Sequence, residues 1–130
     1  MRKYQFDKLI RSKIPARMED EGVSVNRNSL SKSEYLSELK RKILEEAQEV
    51  HDAESKEDLI TELADVIEVI HAIADANAIS LADIENAQSE KREINGGFLP
   101  ENYINYIEVA EDNHKVIEYL ENKNRPYKLG

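Results

Sequence analysis

Residues 31 to 76 confine this chain to a helical fold before any other feature is weighed. Ser31 and Glu34 form an SxxE pair, in which each side chain can accept from the other residue's backbone N–H at a helix start. Behind it Leu36, Leu39, Ile43, Ala47 and Val50 recur every three or four residues up to about Ala53, as one apolar stripe of a helix does. Ser55 and Asp58 repeat the start signal, and a second periodic run continues to about Ala76. The connection, roughly "HDAESKED", is short enough to make the two helices antiparallel neighbours.

The flanking segments are shorter. "DKLIRSKIPARMEDEG" predicts a helix that starts at Pro15 and stops at Gly22. "VSVNRNSL" alternates as a short edge strand would. Ser80 with Asp83 opens a third long helix, "LADIENAQSEKREI", closed by Asn95, Gly96 and Gly97. "NYINYIEVA" fits a strand by composition or a helical turn by spacing; a strand paired with "VSVNRN" is the expectation. Residues 113 to 122 predict a final helix with Val116, Ile117 and Leu120 inward, and "NKNRPYKLG" a tail. The expected fold is mainly α: an antiparallel helical bundle with a small accessory β element. It forms one domain over residues 1–130, with a core at about 4–98 and an extension at about 99–130.

Acidic side chains interrupt the apolar faces. With a turn of about 100° per residue, Glu46 lies roughly 60° and Glu49 roughly 120° from a stripe centred on Ile43, with Lys42 on the same flank and Glu45 pointing away. Glu62 and Asp65 share the sector of Val66, Val69, Ile73 and Ala76. If the helices meet along these flanks, four carboxylates converge where low dielectric makes their mutual repulsion costly. A divalent cation relieves that repulsion, and an oxygen-only set suits Mg²⁺ or Mn²⁺ rather than Zn²⁺. ExxE pairs on an acidic helix are also commonly a solvated face or partners for Lys, so the combination of two pairs carries the inference.

Composition removes several classes. Acidic residues number 27 against 18 basic, a formal net charge of −9, which disfavours nucleic acid backbone and anionic membrane as partners. Without Cys there is no disulfide framework, thiolate metal site or thiol nucleophile, which suits a reducing cytoplasm. The N-terminus has no signal peptide pattern, and the longest apolar stretch, Val66 to Ile79, is too short and polar to span a bilayer. His51, His71 and His114 form no HExxH and no nucleophile–base set, and His71 is expected to border the core.

"EEAQE" at 45 to 49, twelve intervening residues and "ELAD" at 62 to 65 resemble the EExxE…ExxD signature of the all-α nucleoside triphosphate pyrophosphohydrolases, the superfamily of MazG and phosphoribosyl-ATP pyrophosphohydrolase. "FDKLIRSKIP" and "KREINGGF" resemble the phosphoribosyl-ATP pyrophosphohydrolase-like branch, and the likeness covers roughly residues 4 to 98. The resemblance implies that Glu46, Glu49, Glu62 and Asp65 are catalytic and ligate Mg²⁺. It also implies hydrolysis of a nucleotide to the monophosphate and pyrophosphate.

Substrate phosphates would be met by basic groups. Lys42 either contacts a phosphate or forms an intrahelical salt bridge, and Lys91 and Arg92 either contact phosphates or complement the helix dipole. Arg11 and Lys13, with Lys8, contact substrate or form a solvated face. Two long helices with broad apolar faces make half a bundle, so a homo-oligomer, a dimer, is expected. Two other readings fit the same acids: a helical module that binds a cation or a basic partner without turnover, and a phosphohydrolase of a non-nucleotide ester.

Overall fold

The computed structural model describes residues 1–122. It contains five helices in this range: α1 (Ile14–Asp20), α2 (Lys32–Asp52), α3 (Lys56–Ala76), α4 (Leu81–Asn95) and α5 (His114–Glu121). The chain divides into two compact units, Met1–Glu90 and a second from Lys91 onward.

In the first unit the helix starts follow from local chemistry. Ser31 Oγ accepts from the Glu34 backbone N–H at 3.2 Å, and Glu34 Oε1 accepts from the Ser31 N–H at 3.1 Å, a complete reciprocal cap for α2. Ser55 Oγ accepts from the Asp58 N–H at 3.0 Å at the start of α3, and Ser80 Oγ from the Asp83 N–H at 3.1 Å at the start of α4. α2 and α3, 21 residues each, are about 30 Å long and pack against one another through their short connection at residues 53–55.

Their contact face is small and dry only in part. Leu39, Val69 and Ala74 are buried, with Leu36, Ile43, Val50, Val66 and Ile73 half-buried around them. The stripe of α2 is rotated from the expected one, since Ala47 is exposed and Glu46 takes the inward place. The opposite side of the pair is apolar and open to solvent: Ile60, Leu63 and Ile67 of α3 are exposed, as is Leu44 of α2. His71 is exposed too, because the inward sector of α3 runs through Val69, Ile73 and Ala76 instead.

A left-handed residue follows α1, α3 and α4, at Gly22, Ala78 and Gly96. After α1, Gly22 at φ +85° lets the Val23 N–H reach Met18 O at 3.0 Å. After α3 the same pattern sets Ala78 at φ 54°, with the Ile79 N–H donating to Ala74 O at 2.8 Å. A side chain with a Cβ is strained there, so Ala78→Gly is expected to stabilise the protein by about 0.5–1 kcal/mol, read as a higher urea midpoint. An unchanged or lower midpoint would mean that Ala78 does not hold this conformation in solution.

No strand forms among the described residues, which corrects the expected accessory β element. Val23 spends its N–H on the end of α1, and residues 102–110 form no ladder. Alternating sequence makes a strand only where a neighbouring backbone accepts its hydrogen bonds. In the second unit Phe98, Leu99, Tyr103, Ile104 and Tyr106 are exposed, while Val116, Ile117 and Leu120 of α5 are half-buried as expected. The expected tail, "NKNRPYKLG", lies outside the described residues beyond Asn122.

Candidate metal centre

The i, i+3 spacing of Glu46 and Glu49 on α2 and of Glu62 and Asp65 on α3 sets each pair on one side of its helix. Packing of the two helices brings the pairs together: each residue offers a carboxylate oxygen, and these oxygens all lie within 4.8 Å of one another. Glu46 is only 7 % exposed, Glu62 and Asp65 are half-buried, and Glu49 faces solvent.

Hydrogen bonding leaves this cluster incomplete. Asp65 Oδ1 accepts from Arg11 Nη2 at 2.6 Å, and Lys42 Nζ stands 3.7 Å from Glu46 Oε1. Glu46 Oε2 and Glu62 Oε2 are buried with no hydrogen-bond partner. A buried carboxylate oxygen without a donor is costly. The Glu62 carboxyl is accordingly pushed up to about 7, first because Glu49 stands close enough to share a proton with it, then by burial and by repulsion from Glu49, Asp65 and Glu46. Glu46 is raised by its burial and next by Glu49. At Glu45, burial works upward but hydrogen bonds from Lys42 and Lys8 outweigh it and hold the carboxyl below its ordinary value.

A pH dependence follows. Glu62 and Glu46 keep their protons to higher pH in the folded chain than at the ordinary value of 4.5. The contribution of Glu62 to stability is therefore fully present below about 4.5 and is lost as pH rises through about 7, and that of Glu46 is lost in the same direction. Thermal melts in chelator should fall across that window, and apparent affinity for Mn²⁺ should rise across it as protons cease to compete. A melting temperature that climbs from pH 5 to pH 7 in chelator would contradict these raised values.

The remaining expected site residues separate. Lys42 is half-buried and serves as a salt-bridge partner, 3.3 Å from Glu45 Oε2 as well as near Glu46. Arg11 joins the cluster through Asp65. Lys13 is exposed ahead of α1 and pairs with no acid among the described residues. Lys91 and Arg92 belong to the second unit, are exposed, and likewise form no ion pair among the described residues. Lys8, grouped with Arg11 and Lys13 in the sequence, and Glu45, which was expected to point away, adjoin the site. Lys8 Nζ lies 3.3 Å from Glu45 Oε1, so Glu45 is half-covered by the N-terminal segment instead of pointing freely away. Lys8, Leu9, Glu38, Arg41, Lys42 and Glu45 border a cleft of about 200 Å³.

The donor set fits a hard divalent cation. Four carboxylates offer oxygen alone, and the two orphaned buried oxygens are what such an ion would satisfy. Among the described residues no helix is long and apolar enough to cross a membrane.

An all-helical chain with this pair of carboxylate-bearing helices has the build of the all-α nucleoside triphosphate pyrophosphohydrolases. The family model of phosphoribosyl-ATP pyrophosphohydrolase matches residues 4–92, and the chain belongs to that family. Its family is one of hydrolases that cleave phosphoric anhydrides of nucleotides, typically with metal. No curated protein and no solved structure matches the chain.

Proposed function

We propose that the protein is a Mg²⁺-dependent nucleotide pyrophosphohydrolase, with Mn²⁺ able to substitute, that splits a nucleoside triphosphate or related nucleotide into the monophosphate and pyrophosphate. The observation that carries this reading is the convergence of four carboxylates with two buried, unpartnered oxygens among them. Its role would be housekeeping of the cytoplasmic nucleotide pool.

Glu46, Glu49, Glu62 and Asp65 would hold the ion. Bound there, it supplies positive charge against the phosphate chain and polarises the phosphoryl group. Glu49 is the solvent-facing acid of the four and accepts the proton of the attacking water. Glu62 stands beside Glu49 in the cluster and would hold the ion with it. Lys42 holds Glu46 in place, and Arg11 and Lys13 are the cations that the first unit offers to substrate phosphates.

The active form is a homodimer in this reading. The open apolar side of α3 gives a second copy a surface to cover. The test is a broad nucleotide panel with Mg²⁺ or Mn²⁺ and identification of the products. Pyrophosphate with the matching monophosphate supports the proposal; orthophosphate, or no turnover of any nucleotide, rejects it.

A further inference from the structure

Two ion pairs link the N-terminal segment to α2 and α3. Lys8 pairs with Glu45 on α2, and Arg11 Nη2 donates to Asp65 Oδ1 on α3 at 2.6 Å, a charge-assisted bond across 54 positions of sequence. The arginine side chain is 58 % exposed and lies in a segment without regular structure before α1. The bond is single, through one nitrogen, and does not use the paired geometry that a guanidinium can offer a carboxylate.

We propose that Arg11 is a tethered cation that a divalent ion must displace from Asp65, so that occupation of the carboxylate cluster releases the guanidinium to bind the phosphates of the nucleotide. This rests on the reading of the four acids as the cation site. Two observations and one charge argument favour exchange over coexistence. Arg11 and Lys42 together neutralise one oxygen each of Asp65 and Glu46, while Glu46 Oε2 and Glu62 Oε2 stay without a donor. An ion of twofold charge that satisfies all four carboxylates gains more than a guanidinium that satisfies one. The exposed, unpacked arginine side chain also has little to lose by letting go. Once free, its planar fork matches the oxygens of a phosphate better than the single carboxylate oxygen it leaves. Nucleotide would then meet Arg11 only on the cation-loaded protein, which gives the site an order of binding.

The opposing arrangement keeps Arg11 on Asp65 as an outer partner that orients the ligand and strengthens ion binding. Calorimetric titration of the full chain with Mn²⁺, without nucleotide, separates the two. Exchange predicts that Arg11→Ala binds Mn²⁺ about threefold to fivefold more tightly than wild type at low ionic strength, with the gap closing in high salt. Arg41→Ala, which removes a charge that pairs with Glu38 away from the cluster, should leave the affinity within about twofold. Equal or weaker binding by Arg11→Ala overturns the exchange, as does an equal gain in Arg41→Ala. Absence of Mn²⁺ binding in every protein overturns the cation site as well, so the two failures are distinguishable. The wild type gives a reading with no variant: trypsin should cut after Arg11 faster when Mn²⁺ is added, and slower or unchanged cutting also overturns the exchange.

Discussion

Glu46→Gln is expected to lower pyrophosphate release by about 100-fold or more while raising the melting temperature in chelator by about 3–5 °C. The two effects have one cause. Glu46 sits in the inward stripe of α2, 7 % exposed, between Leu39, Ile43 and Val50, and its Oε2 has no donor. Its carboxyl is raised by burial and by Glu49. An amide of nearly the same volume removes a charge from this setting and brings an N–H₂ to the neighbouring acids. That relief should exceed the loss of the 3.7 Å contact with Lys42, for a net gain of about 1 kcal/mol. The same change removes a donor oxygen that a hard cation needs. Activity and chelator-state melts on one sample test both halves. Full activity would take Glu46 out of the site, and a lower melting temperature would mean that the Lys42 pair outweighs the repulsion.

Placing Asp at both Ile60 and Ile67 is expected to convert a dimer into monomers and to abolish activity with it. Ile60, Leu63 and Ile67 recur at three and four residues along α3, on the side that α2 does not cover, and all are exposed. Burying a side chain of this kind contributes about 1.5–3 kcal/mol, and a twofold interface uses each position twice. Two charged substitutions therefore remove several kcal/mol from association, a weakening of more than about 100-fold even after a generous discount. Sedimentation equilibrium at micromolar concentration should show dimer for wild type and monomer for the variant, with circular dichroism of both unchanged. A monomeric wild type, or a variant that stays dimeric, would reject this face as the interface.

These outcomes follow from side chains whose placement was unequally legible in the sequence. Ser31, Ser55 and Ser80 announced three helix starts because a cap involves residues three apart, and such chemistry needs no tertiary partner. Gly22 and Gly96 marked helix ends for a similar local reason. Ala78 did not, since nothing about Ala advertises a left-handed turn. On α2, periodicity assigned the inward place to Ala47, but Glu46 occupies it, because a pattern of hydrophobicity sends every charge outward. The convergence of Glu46, Glu49, Glu62 and Asp65 was still readable, as two i, i+3 pairs on helices that a short connection forces together. The contacts of Lys8 with Glu45 and of Arg11 with Asp65 were not, being set by where an irregular segment lies. The strand expected at "NYINYIEVA" failed for a related reason: its hydrogen bonds depend on a partner the local sequence does not name.

Crystals grown with Mn²⁺ would locate the metal through its anomalous scattering. The expected peak is bounded by carboxylate oxygens from both α2 and α3, at about 2.0–2.3 Å from its nearest ligands and including Glu46 and Asp65. A peak elsewhere on the chain, or none beside these acids at saturating Mn²⁺, would contradict a cation site between α2 and α3.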